Sequence, residues 1–170
     1  MKGQNFGLLY FLLVIGQVIL CNFANFGPYV MLTMLPAMII CVPLSISTIS
    51  CMLIAFATGL SVDFLAEGLI GINAAALVPV ALMRKPLIRF FLGEDIISRN
   101  DSFSIRKNGV VKISVIMLIA TTIFLAIYIY LDGAGIRPTW FLLARAGISV
   151  LCCYPLALIV TRTLTPDDRK

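Results

Sequence analysis

The chain has 170 residues, of which 61% are apolar and 12% charged, with thirteen Lys and Arg against eight Asp and Glu and no histidine. A mean hydropathy of +1.05 lies far above that of a soluble domain and marks an integral membrane protein. A membrane helix needs roughly 20 mostly apolar residues, so at most about seven short-looped spans fit, and one all-α membrane domain over 1–170 is expected.

Apolar runs bounded by charge, Gly or Pro predict six transmembrane helices, the first over 6–24. Lys2 before this run resembles the start of a signal peptide, but Phe6 to Leu20 contains no small-x-small cleavage site, which fits a retained span. Leu20-Cys21 is a poor lipoprotein box because Leu20 is bulky. Gln17 and Asn22 are the polar residues of this span; five positions apart, they differ by roughly 140° around a helix and do not share a face. Each is expected to bond a neighbouring helix.

The second span is placed at 28–44, with Pro36 inside it and Pro43 and Ser45 at the following turn, and the third at 46–62. Ala55, Ala57, Thr58, Gly59 and Ser61 crowd the third span with small side chains that let a neighbouring helix approach. Asp63 and Glu67 follow, between two long apolar runs. If the helix continues they share a face, and two adjacent acids make a proton or cation site. The plainer reading, preferred here, is that Asp63 caps or bonds the Gly68 to Gly71 turn while Glu67 meets solvent.

A short fourth span, 69–84, carries Pro79 and the small residues Ala74, Ala75, Ala76 and Ala81. It leads into a basic loop, 84–112, in which seven cations meet only Glu94, Asp95 and Asp101. Such a loop suits anionic lipid headgroups or a cytoplasmic partner, and Pro86 to Gly93 has the mix of an interfacial helix. The fifth and sixth spans are expected at 109–131 and 139–161, the last containing Arg145 as an intramembrane charge. Its guanidinium is shallow enough to snorkel, and Asp63, Glu67 and Asp132 are its possible partners.

Cationic loops stay on the cytoplasmic side. With six spans and both termini cytoplasmic, eleven of the thirteen cations fall inside: Lys2, Arg84, Lys85, Arg89, Arg99, Arg106, Lys107, Lys112, Arg162, Arg169 and Lys170. The outer loops are then short. Cys21, Cys41, Cys51, Cys152 and Cys153 read as small apolar fillers, since there is no CxxC spacing and no histidine to complete a metal site. Serine-hydrolase, zinc-protease and phosphate-loop motifs are absent, so neither catalysis nor a cofactor is expected.

Several blocks together resemble the rod shape-determining protein MreD family, especially its Bacteroidetes-type members. Gln17-Val-Ile-Leu-Cys-Asn22, then Phe26-Gly-Pro-Tyr29 and Leu35-Pro36, is similar to the family's N-terminal half. Gly59-Leu-Ser-Val-Asp63, Gly68 to Asn73 with Gly71 between, and Ala81-Leu-Met-Arg84-Lys-Pro86 are similar to its central signature. Many relatives carry a histidine where this chain has Asn73, which keeps hydrogen bonding but removes any titrating role.

The resemblance implies a non-enzymatic component of the bacterial cell-elongation (Rod) complex in the inner membrane. Such a protein works with a bitopic MreC-like scaffold, and through it with MreB filaments and the peptidoglycan polymerase and transpeptidase; membrane lipids but no nucleic acid are among its partners. The signature residues would then shape the partner surface. The family's architecture is similar to the substrate-binding subunits (S-components) of energy-coupling-factor transporters, and this is the alternative. Under it Gln17, Asn22, Asp63, Asn73 and Arg145 would line an outward-facing pocket for a small solute, although the Ala-x-x-x-Ala docking pattern of such subunits is missing from the first span. A membrane enzyme using Asp63 and Glu67 lacks accompanying nucleophile, metal set and oxyanion donors.

Overall fold

The computed structural model describes residues 6–23, 30–68, 71–93, 109–133 and 139–164. The helices are α1 (Phe6–Phe23), α2 (Leu35–Ile40), α3 (Thr48–Val62), α4 (Ile72–Leu92), α5 (Val110–Gly133) and α6 (Thr139–Leu164), with one wider π-helical turn, Asp63–Glu67, prolonging α3. No strand occurs among the described residues. Among the described residues, four helices are long and apolar enough to cross a membrane: Phe6–Phe23, Thr48–Ala66, Val111–Gly133 and Trp140–Leu164.

Burial follows helical periodicity. On α5 the stripe Ile113, Ile116, Met117, Ala120, Phe124, Tyr128 faces inward, and on α4 Leu77, Val80, Ala81, Arg84 and Ile88 do the same. The opposite faces expose large apolar side chains, such as Leu8, Phe11, Leu12, Ile15 and Ile19 on α1. A continuous apolar exterior of this kind suits lipid and not water. Only Gln17 of α1 is fully buried, so this helix leans on the bundle instead of entering it.

The expected helix over 28–44 is not what forms. Residues 30–34 have no regular structure, α2 runs for six residues only, and turns follow at 41–42 and 44–46. All six residues of α2 are buried, and the half-helix touches each of the other five helices. Pro36 sits in its first turn, where a missing N–H costs nothing. A uniformly apolar run reads as a span in sequence whether it faces lipid or is enclosed by protein on every side.

The fourth span also differs from expectation. α4 continues past residue 84 through Pro86 to Leu92, so 86–93 is the end of a long helix and not a separate interfacial one. Arg84, expected in the basic loop, is among the largest fully buried side chains. Of that loop, 94–108 lies outside the described residues.

α3 and α4 pack most closely where Gly59 meets the start of α4. A Cβ on Gly59 would lie 2.5 Å from Ala74 Cα and 2.6 Å from Ala74 N, so only glycine allows this approach. The small-residue crowding read from the sequence is thus used inside the bundle.

Candidate functional site

The half-helix α2 has ends that its own chain neighbourhood cannot fully satisfy, and inside a membrane protein no bulk water replaces the missing partners. At its N-terminal end the Gln17 side chain does the work of a cap. Its Oε1 accepts from Met34 N at 2.7 Å, while its Nε2 donates to Leu32 O at 3.3 Å and lies 3.1 Å from Cys21 Sγ. The Thr33 hydroxyl accepts from Leu35 N at 3.2 Å.

The other edge of the same segment is bonded by α6. Met31 N donates to Ser149 Oγ at 3.0 Å and Thr33 N to Cys153 Sγ at 3.3 Å, and Cys153 Sγ donates to Met31 O at 3.2 Å. Backbone groups of residues 31 and 33 therefore turn toward α6 and those of residues 32 and 34 toward α1. Ser149 and Cys153 lie one turn apart on the buried face of α6. Reading the cysteines as apolar fillers missed this: Cys153 is a hydrogen-bonding group, and only its one-turn spacing from Ser149 hinted at it.

At the C-terminal end of α2 the guanidinium of Arg84 arrives from α4. Nε donates to Ile40 O at 3.1 Å, Nη2 donates to Val42 O, and Nη1 lies 3.8 Å from Cys51 Sγ. A cation at the last carbonyls of a helix meets the negative end of its dipole. Among the described residues Arg84 has no carboxylate partner; what offsets its charge is this row of carbonyl dipoles.

A second polar joint lies at the α3–α4 corner. Asp63 is fully buried. Its Oδ1 accepts from Asn73 N and Asn73 Nδ2, both at 3.0 Å, and its Oδ2 from Gly71 N at 2.9 Å and Ala74 N at 3.3 Å. Gly71, at the N-cap position, has no side chain to cap α4, so a carboxylate eight residues upstream does so instead. The chain returns for this contact through Gly68 at φ 68° and Gly71 at φ 103°, left-handed conformations that glycine adopts without a Cβ clash. The π-turn closes with Gly68 N donating to Asp63 O at 2.9 Å. The preferred reading of Asp63 as a bond to this turn is thus borne out in geometry; the side chain of Glu67 lies outside the described residues.

Arg145 pairs with Asp132, one of its three possible partners, at 2.6 Å from Nη1 to Oδ2. Asn22 is exposed and bonds Val18 O of its own helix at 2.9 Å, so it joins no site. Pro86 lies on the exposed face of α4, and Tyr29 lies outside the described residues. Gln17, Asn22, Asp63, Asn73 and Arg145 consequently do not converge on one pocket: they serve the α2 entry, the chain's own helix, the α4 cap and the α5–α6 end.

The chain matches no protein-family model, no curated protein and no solved structure.

An apolar groove runs between α1 and α3, with a volume of about 440 Å³. Phe11, Ile15 and Ile19 form one wall, Leu65 closes part of the other, and Ala57, Thr58 and Ser61 make a floor of small side chains. Tyr10 and Thr58 hydroxyls bond across it at 2.9 Å, a link between the two helices that sequence reading missed because neither residue stands out from its apolar surroundings. Apolar walls over a small-residue floor can seat a helix or an acyl chain.

Proposed function

We propose that this protein is an MreD-like membrane component of the bacterial cell-elongation complex, a non-enzymatic scaffold for an MreC-like bitopic protein and, through it, for peptidoglycan synthesis. One observation carries the reading. Within the blocks on which the family resemblance rests, Gln17, Leu35-Pro36, Gly59, Asp63, Gly71, Asn73 and Arg84 lie at the joints that hold the helices together, whereas Asn22 and Pro86 do not. Their polar groups bond one another and the backbone, an arrangement suited to presenting a rigid surface.

In this reading the protein lies in the bacterial inner membrane with six crossings and both termini cytoplasmic. α4, at 21 residues, is about 30 Å long, which matches a hydrocarbon core. The irregular stretch 30–34 leads into α2, which is about 9 Å long, and in this reading the two together make a broken crossing enclosed by the other helices. The solute-binding alternative gains nothing from the dispersed positions of Gln17, Asn22, Asp63, Asn73 and Arg145.

The α1–α3 groove is the surface we assign to the single transmembrane helix of the MreC-like partner. Its floor, Ala57 and Ser61 one turn apart, is exposed to the bilayer. Co-purification in mild detergent with the MreC-like protein of the same organism tests this, beside Ala57→Leu/Ser61→Leu as a groove-filling variant. A complex lost in the variant, with its thermal stability kept, is expected. A complex unaffected by filling the groove overturns this seat. No complex at all, with a small solute retained through purification, overturns the scaffold reading in favour of a transporter subunit.

A further inference from the structure

The exposed or half-buried cations Lys85 and Arg89 near the end of α4, Lys112 at the start of α5 and Arg162 near the end of α6 lie toward one end of the bundle, whereas Asp63 and the Arg145–Asp132 pair belong to the other. Within the cationic end one place has shape as well as charge. Lys85, Pro86, Arg89 and Phe90 line an open notch of about 340 Å³.

These residues occupy positions i, i+1, i+4 and i+5 of α4, a sector of roughly 140° turned away from the buried stripe of Leu77, Ala81, Arg84 and Ile88. The face therefore looks into the bilayer and not into the bundle. Phe90 is 83% exposed, and Leu82 and Met83, one turn nearer the membrane centre, are exposed as well. From the Asp63-capped start of α4, Arg89 lies about 26 Å along the axis, near the far boundary of a hydrocarbon layer of about 30 Å, and Lys85 about 20 Å, from where its long side chain can snorkel toward the same boundary. The notch thus offers two cations to the headgroup region, with an apolar track running from it toward the acyl chains.

We infer that the Lys85–Arg89 notch of α4 binds an anionic phospholipid, its phosphate held between ammonium and guanidinium and one acyl chain lying along Leu82 and Met83. A soluble anion or an acidic peptide would use the charges but leave the adjoining apolar track unmatched; an anionic amphiphile uses both. Arg89 suits the phosphate as a fork of donors and Lys85 as a point charge. The inference requires only that the helices sit in a bilayer and is independent of the elongation reading.

The test is native mass spectrometry of the full chain in mild detergent, titrated with dioleoyl phosphatidylglycerol or dioleoyl phosphatidylcholine. Phosphatidylglycerol is expected to bind with a clear preference, and Lys85→Ala/Arg89→Ala to weaken it roughly thirtyfold, on the scale of two headgroup-level cations. Lys112→Ala/Arg162→Ala removes two exposed cations from the same end but outside the notch, and should change affinity by only a few-fold. Lys85→Arg/Arg89→Lys keeps the charges, guards against misfolding of the alanine pair, and should retain most of the binding. Equal losses in the two alanine pairs would show general surface charge and overturn the site. So would an absence of headgroup preference, loss in the charge-keeping variant as large as in the alanine pair, or displacement of the lipid by millimolar inorganic phosphate.

Discussion

Removing the Asp63 carboxylate should loosen the start of α4 and with it the tight α3–α4 contact. In Asp63→Ala four donors lose their acceptor: the N–H groups of Gly71, Asn73 and Ala74 and the Asn73 side-chain amide. Loss of an ordinary N-cap costs about 1 kcal/mol. Here Gly71 sits at a partly exposed turn and the Asn73 amide can rotate, but the Asn73 and Ala74 N–H groups stay buried, and each orphaned buried donor costs about 1–3 kcal/mol. The total expected is about 2–5 kcal/mol, or roughly 5–15 °C in Tm on the scale of a domain this size. Asp63→Asn keeps one acceptor oxygen but turns an amide toward other donors, so about half of the loss should remain. The protein supplies its own reporter, since Cys41, Cys51 and Cys153 are buried free thiols that react with a fluorogenic maleimide as the fold opens. Ser61→Ala is the control, because its exposed hydroxyl bonds only Ala57 O of its own helix. Asp63→Ala melting within 1–2 °C of that control would refute the capping role.

Gly59→Ala should destabilise by about 1–3 kcal/mol, because its Cβ meets the α4 backbone, whereas Gly16→Ala, with nothing within 4 Å, should be close to neutral; equal Tm values for the two would refute the close approach. Arg84→Met should cost about 2–5 kcal/mol through the unpaired carbonyls of Ile40 and Val42 and should raise the native-state labelling rate of Cys51, with Arg84→Lys intermediate; unchanged labelling in Arg84→Met would refute the cap at the end of α2. For the half-buried Arg145–Asp132 pair, a double-mutant cycle of Arg145→Ala and Asp132→Asn should give a coupling on the order of 1 kcal/mol, and strictly additive effects would dissolve the pair.

Membrane class and most helix positions were legible because hydropathy records contact with lipid directly. α1, α3, α5 and α6 fall within a few residues of their expected bounds. The same property hid α2: Leu35 to Ile40 is apolar because protein surrounds it, and Pro36, Pro43 and Ser45 were the signs of a break within a run that otherwise averages as a span. Arg84 was lost in a different way. Next to Lys85 and Arg89 it looks like one more loop cation, and only the three-dimensional meeting with Ile40 O and Val42 O separates its role from theirs. Asp63 was readable because an acid followed by two glycines and Asn73 has few ways to be satisfied. Ser149 and Cys153 carried almost no signal, since their partners are backbone groups more than a hundred residues away in the chain.

That separation has a consequence for how the protein is made. The segment around α2 leaves the ribosome early, yet Arg84 follows Val42 by 42 residues, and Ser149 and Cys153 follow Met31 and Thr33 by 118 and 120. Until those groups emerge, the amides of Met31 and Thr33 and the carbonyls of Met31, Ile40 and Val42 lack these partners in the hydrocarbon, where leaving them bare is costly. The segment must therefore wait at the membrane surface or beside the insertion machinery, with α1 and its Gln17 already in place, and enter last, when α6 delivers the final two hydrogen-bonding side chains. Biogenesis then has an order in which the surroundings of α2 are completed only once α6 is in place.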